Sequence, residues 1–163
     1  MKVPPDRLTL EITESTAMAD PGRAQDLLLC LRNLGVGLSI DDFGTGHSSL
    51  AYVSSLPVTE LKIDRSFVTS IATDDSDAMI VRSTIDLGHN LGLRVVADGV
   101  EDDHTLRWLS DHGCDLAQGY GLTRPLPAAE LATWLARWSS GAPISGSRAP
   151  EVNASPELTA AGG

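Results

Sequence analysis

The chain is short of aromatic residues, of cations and of cysteine, and each shortage excludes something. Aromatics make up 4 % of its 163 residues, so aliphatic side chains must build the core. Lys and Arg number 12 against 22 Asp and Glu, a formal net charge of −10. That balance repels nucleic acid polymers and anionic membrane surfaces, and neither is expected as a partner. A small anionic ligand would need local help from a metal ion or a lysine. Cys30 and Cys114 stand in apolar contexts with no CxxC and no histidine at ligand spacing, the setting of buried free thiols. No apolar run approaches the ~18 residues of a membrane span, and the start "MKVPPDRL" has no hydrophobic signal core. The expected location is the cytoplasm. His47, His89, His104 and His112 share no spacing, so none is assigned to catalysis. "GTGHSS" lacks the Gly-Lys-Ser/Thr of a nucleotide phosphate loop.

What is there is an alternation of short aliphatic runs and helical patterns. "LTLEIT", "GLSID", "ELKID", "LRVVADG" and "CDLAQG" read as strands. Between them stand helical segments with clear ends. Asp20-Pro21 supplies an N-cap and a proline at the first helical position, and Gly35 and Gly92 close their helices. "SSLAYVSSL" reads as a short helix, "EDDHTLRWLSDHG" as another, and "AAELATWLARW" as the last. From Ser139 the chain is rich in Gly, Ser, Pro and Ala, and residues 139–163 are expected to be a disordered tail. The βαβαβαβαβα order implies a parallel sheet covered by helices, either an α/β barrel or an open sheet.

The polar residues share an address. Glu11 and Glu14 lie near the end of the first strand, Asp41 and Asp42 end the second, and Lys62 and Asp64 end the third. Asp98 and Glu101 end the fourth, and Gln118 ends the fifth. Carboxylates gathered at the C-terminal ends of parallel strands mark the working face of such folds. Singly, each has an ordinary reading: Asp41-Asp42 as a solvated turn, Glu11 and Glu14 as a solvated edge or helix start, Lys62 with Asp64 as an ion pair. Together they form an oxygen-only donor set with one lysine, suited to magnesium or manganese. Two such ions sharing Asp41, with Asp42 beside it, could clamp a phosphodiester and activate water. Lys62 would orient that water or stabilise charge on the phosphate. The "GTG" after the aspartates suits a loop that closes over substrate.

"LEITES", "DDFGTGHSSL", "LKIDRSFV", "VVADGVE" and "AQGYGLTRPLP" follow one another in the order of a known family. From about Pro5 to Leu135 the sequence resembles the EAL-domain cyclic di-GMP phosphodiesterases, which open cyclic di-GMP to linear pGpG. The resemblance implies a partial TIM-like (β/α) barrel of five parallel strands over residues 1–138. It also implies metal ligation by Glu11, Asp41, Asp42 and Glu101. Lys62, Asp98 and Glu14 would serve catalysis, Glu14 by steadying the loop after the aspartates, and Gln118 and Arg124 would meet substrate. The implied cofactor is magnesium or manganese and the implied substrate cyclic di-GMP. Self-association, or association with another EAL- or GGDEF-type chain, is the expected protein contact.

The departures from the family pattern are specific. The Glu-Ala-Leu tripeptide and the metal-binding asparagine that follows it are absent; Asn33, Asn90 and Asn153 stand elsewhere. Asp98 replaces glutamate, His47 a tyrosine, and Gly121 a bulkier apolar residue. Five strands fall short of the eight of a closed barrel. The expectation is therefore the C-terminal part of an EAL domain, inactive as written. The alternative is a non-catalytic remnant that binds nucleotide or a protein partner.

Overall fold

A computed structural model describes residues 3–45 and 50–139. It falls into two compact units, the first running to Arg124 and the second beginning at Pro125. The first opens with a 3₁₀ turn, Pro5–Arg7, and continues β1 (Thr9–Thr13), α1 (Glu14–Ala19), α2 (Pro21–Asn33), β2 (Gly37–Phe43), α3 (Leu50–Val53) and β3 (Glu60–Ile63). Then come α4 (Arg65–Val68), α5 (Asp75–Asn90), β4 (Arg94–Asp98), α6 (Asp103–Asp111) and β5 (Leu116–Gln118). The second unit holds α7 (Ala128–Ser139), in which the Trp134 and Trp138 rings stack at 5.3 Å. Of the tail expected over residues 139–163, Ser139 instead ends α7; the rest lies outside the described residues, as do residues 46–49, which carry the rest of the "GTGHSS" loop.

All five strands form one parallel sheet in the order β1-β2-β3-β4-β5. Each strand lies beside its predecessor, with no reversal of direction across the sheet. A doubly wound sheet reverses at a switch point, whereas a (β/α) barrel advances strand by strand. The expected barrel segment is what the chain forms.

The helices start and stop where their sequences dictate. Asp20, Asp74 and Asp102 each cap a helix, accepting hydrogen bonds from Arg23 N, from Ser76 N and Asp77 N, and from Thr105 N. Gly35 and Gly92, at φ 88° and 72°, take the left-handed conformation that ends α2 and α5. Two helices were not legible. Thr13 caps α1 directly after β1, so the "TES" expected at a strand end opens a helix. Asp64 likewise caps α4 through Ser66 N, so β3 stops at Ile63, one residue short of the expected end.

The sheet has two unlike faces. Leu38, Ile40, Leu61, Ile63, Val95 and Ala97 are all buried and pack with Leu28, Val53, Val68, Val81, Ile85 and Leu109 of the helices. Each Leu, Ile or Val among them gains about 1.5–3 kcal/mol on leaving water, and this layer holds the sheet to its helices. The alternate residues face the other way. In register across that face run Glu11, Ser39, Glu60 and Arg94, then Lys62, Val96 and Leu116, then Asp98 and Gln118. Period-two alternation thus delivers Glu11, Glu60, Lys62, Arg94 and Asp98 to one side.

Candidate active site

Lys62 is the centre of the polar face. It is buried, at 3 % relative exposure, and its ammonium meets Glu11 at 2.9 Å, Asp41 at 3.2 Å and Asp98 at 3.7 Å. Burial pulls the ammonium pKa down, but hydrogen bonds to Glu11 and Asp41 and their charges outweigh it, and the value sits above that of free lysine. The group is therefore a fixed cation and has no capacity as a base near neutrality. The expected Lys62–Asp64 ion pair does not form. Asp64 instead accepts from Ser66 N (2.9 Å) and from the Ser66 hydroxyl.

Adjacent aspartates on a regular strand would point to opposite faces. Here the β2–β3 register shifts: Ile40 pairs with Leu61 and Phe43 with Ile63, so Asp41 and Asp42 together oppose Lys62. This is a β-bulge. Asp42 completes it with φ 58°, and no other described non-glycine residue has positive φ. Among L-residues, Asp and Asn tolerate that conformation best, at some cost in strain. Asp41 Oδ1 accepts from Asp42 N at 3.0 Å, which fixes the turn. Burial, then the charges of Asp41 and Asp64 and a hydrogen bond with Asp64, raise the Asp42 pKa, against the pull of Lys62. Partial burial also opposes ionisation of Asp64, but its bonds from Ser66 prevail and lower its pKa.

Glu14, the first residue of α1, is buried and accepts from Gly44 N at 3.2 Å. It ties the start of the loop after the aspartates to α1. Glu101 stands apart from the lysine cluster and pairs with Arg65 at 3.0 Å. Gln118 is in register with Asp98, and the Arg124 guanidinium lies 5.1 Å from the centre of the Tyr120 ring. Of the residues expected in the site, the structure joins Glu11, Asp41, Lys62 and Asp98 directly. Asp42 adjoins them through the bulge, and Glu101 and Arg124 have partners of their own. Arg65 was missed, having no pattern of its own in "KIDRSF". Ser39, two residues before Asp41 on the same face, is fully buried, and its hydroxyl has no hydrogen-bond partner among the described residues.

The donor set fits a hard divalent cation in kind. It is all carboxylate oxygen, and the like charges crowding Asp42 are what a cation between carboxylates relieves. As they stand, no three His, Cys, Asp or Glu side chains among the described residues are grouped closely enough to hold an ion. The Lys62 ammonium takes up Glu11, Asp41 and Asp98 instead.

In (β/α) barrels the C-terminal ends of the strands are where active sites stand, and the acidic, lysine-centred face of this segment lies toward those ends. The family model described as "EAL domain" matches residues 1–125, and the chain belongs to the EAL-domain family. It is 50 % identical over 127 residues to the bifunctional diguanylate cyclase/cyclic di-GMP phosphodiesterase MucR of Pseudomonas aeruginosa, a match covering 78 % of this chain and 18 % of MucR. The solved MucR phosphodiesterase in complex with c-di-GMP superposes with a TM-score of 0.76 at 49 % identity, covering 79 % of this chain and 52 % of that one. Klebsiella pneumoniae BlrP1, solved as a manganese/cy-diGMP complex, superposes with a TM-score of 0.70 at 33 % identity, over 76 % of this chain and 31 % of that one. The chain thus spans about half of the solved MucR chain and less than a fifth of full-length MucR.

Proposed function

We propose that these residues form the hydrolytic face of a cyclic di-GMP phosphodiesterase. One observation carries the reading: Lys62 is held charged and buried among Glu11, Asp41 and Asp98, beside an Asp41-Asp42 bulge. The cyclic di-GMP complexes of MucR and BlrP1 support the substrate, and the manganese in the latter supports a divalent cofactor. Glu11, Asp41, Asp42 and Glu101 would hold magnesium or manganese, which when bound supplies an activated water and polarises a phosphoryl oxygen.

The chain's own groups do the rest. Lys62 stabilises negative charge building on the phosphate. Asp98 accepts a proton from the attacking water. The P–O bond to the leaving sugar oxygen breaks as the new one forms, that oxygen takes up a proton, and linear pGpG results. Gln118 and Arg124 orient the dinucleotide, and Glu14 steadies the loop beyond the aspartates.

The same reading sets the activity of residues 1–163 by themselves. The Glu-Ala-Leu glutamate and the family's asparagine are not among them. Losing a residue that merely supports a ligand costs a metal site about 10–100-fold, and losing two ligands costs at least that for each. The 163-residue chain is therefore expected to bind Mn²⁺ weakly and to release little or no pGpG. A second reading, a module that binds nucleotide or protein without turnover, is favoured by the absence of a closed carboxylate group among the described residues. No helix among the described residues is long and apolar enough to cross a membrane, and a cytoplasmic setting is part of the proposal. The test is cyclic di-GMP binding and pGpG release by the 163-residue chain with Mn²⁺. Indifference to both metal and dinucleotide refutes the proposal. Weak binding with little turnover is expected of these 163 residues under either reading. The two part in a chain extended to supply the two ligands, where pGpG release supports the phosphodiesterase and binding without release the non-catalytic module.

A further inference from the structure

The loops after β4 and β5 are locked together by backbone alone. Val100 N donates to the Gln118 carbonyl at 3.0 Å, and Gly121 N donates to the Val100 carbonyl at 2.8 Å. A β-carbon at Gly119 would stand 2.1 Å from the Val100 carbonyl oxygen. One at Gly121 would stand 2.5 Å from the carbonyl carbon of Glu101 and 2.8 Å from Asp102 N. These neighbours are main-chain atoms and cannot rotate aside. From the other side, Arg65 reaches the Glu101 carboxylate at 3.0 Å, and its β-carbon lies 2.5 Å from where one at Gly99 would be. Glu101 is thus carried on a strip of chain pressed between α4 and the turn that follows Gln118.

We propose that Gly119 and Gly121 are positioning residues for Glu101, setting where its carboxylate stands for a divalent cation. The inference rests on the metal reading given above. Neither glycine touches reacting atoms; each acts by allowing the β5 turn to lie flat on the Val100–Asp102 backbone. The same contacts join Gln118 to Glu101, so the end assigned to substrate and the end assigned to metal move as one piece.

Gly121 and Gly92 provide the test, because they need glycine for different reasons. Gly92 has φ 72° with nothing within 4 Å of a β-carbon, so Gly92→Ala strains the backbone far from the site. Gly121 lies outside the left-handed region and is limited by space alone. The two variants of the 163-residue chain are compared by Mn²⁺ titration followed by electron paramagnetic resonance and by amide exchange of Val100. Gly121→Ala is expected to weaken Mn²⁺ binding about 10-fold or more and to speed Val100 exchange. Gly92→Ala is expected to lower the melting temperature and leave both readouts at the wild-type level. Wild-type affinity and wild-type Val100 exchange in Gly121→Ala would overturn the proposal, as would an equal loss of affinity in Gly92→Ala. A wild-type chain that binds no Mn²⁺ would refute the metal reading itself. That outcome is told apart by Val100 exchange, which still answers to Gly121→Ala if the clamp is real and does not if it is not.

Discussion

Lys62 on β3 donates to Glu11 on β1 at 2.9 Å, across the whole width of β2. Glu11 is in register with Ser39 and Ser39 with Glu60, so the lysine reaches back from one step further along its own strand. Its ammonium serves three carboxylates at once. Lys62→Met leaves them facing one another with no counter-charge. Removing one partner of a fully buried ion pair costs about 3–5 kcal/mol. Glu11 is 45 % exposed and Asp98 33 %, so a loss of about 2 kcal/mol is expected here after screening. Melting with and without Mn²⁺ checks the account. The variant should melt lower than wild type without metal, and Mn²⁺ should raise its melting temperature more than that of wild type.

Asp42→Asn should separate stability from function. The raised pKa of Asp42 means that the folded state favours its neutral form. Stability linked to that group is present at low pH and lost as pH rises through the folded value. Asparagine is neutral throughout and tolerates φ 58°. The variant should gain about 1 kcal/mol at pH 7, the gain should fade as the pH is lowered, and Mn²⁺ binding should be lost. Urea unfolding at pH 7 and pH 4 reads the first two effects. A variant less stable than wild type at pH 7 would contradict the crowding of charge around the bulge.

Acid should unfold the chain through Asp102 and Asp115. Asp102 is held below the usual aspartate value chiefly by the hydrogen bond from Thr105 N. For Asp115, partial burial works against ionisation, but bonds from Val95 N and His89 prevail and lower its pKa. Stability from groups with depressed pKa is present above their unfolded values and lost as pH falls through the folded ones. Asp102→Ala removes the α6 cap and should cost about 1 kcal/mol at neutral pH. It should also shrink the loss of stability seen between neutrality and pH 3, measured as the shift in urea midpoint.

Gly88→Ala pits two effects against each other. Alanine inside α5 should gain about 1 kcal/mol in helix propensity. A β-carbon there would lie 2.3 Å from Val95 Cγ2, on a side chain that is fully buried. Overpacking of this kind costs about 1–3 kcal/mol and should win. Adding Val95→Ala should restore part of the stability lost to Gly88→Ala, and a single variant that melts higher than wild type would show that β4 yields.

The sequence made the strands, the capped helices and the acidic strand ends legible because each follows a local rule: alternation, an Asp before a helix, a Gly after it. It could not show that Asp41 and Asp42 share a face, because alternation places neighbours on opposite sides and only the bulge against Lys62 overrides it. Nor could it show that Lys62 passes over Asp64 to reach Glu11. That choice is made by Asp64 turning to cap α4, a local bond that competes with the ion pair. Arg65 as the partner of Glu101 was equally hidden, since their contact joins segments 36 residues apart.

Self-association is expected of the purified 163-residue chain. Among the described residues β1 and β5 each pair on one side only, and Leu8, Leu10 and Leu116 near those edges are exposed. Unpaired edges and exposed aliphatic surface favour association. Sedimentation should show oligomers, and a monodisperse monomer with a cooperative melt would contradict this.

The most direct test of the account is pGpG release by a completed chain, in which the part of the solved MucR phosphodiesterase that precedes the matched region is joined ahead of Met1, measured with Mn²⁺ beside the 163-residue chain and beside Asp41→Asn in the completed form. The completed chain should release pGpG, the 163-residue chain should be at least about 100-fold slower, and Asp41→Asn should be inactive. A completed chain that folds and binds cyclic di-GMP but releases no pGpG, or turnover that survives Asp41→Asn, would contradict the assignment of this face to phosphodiester hydrolysis.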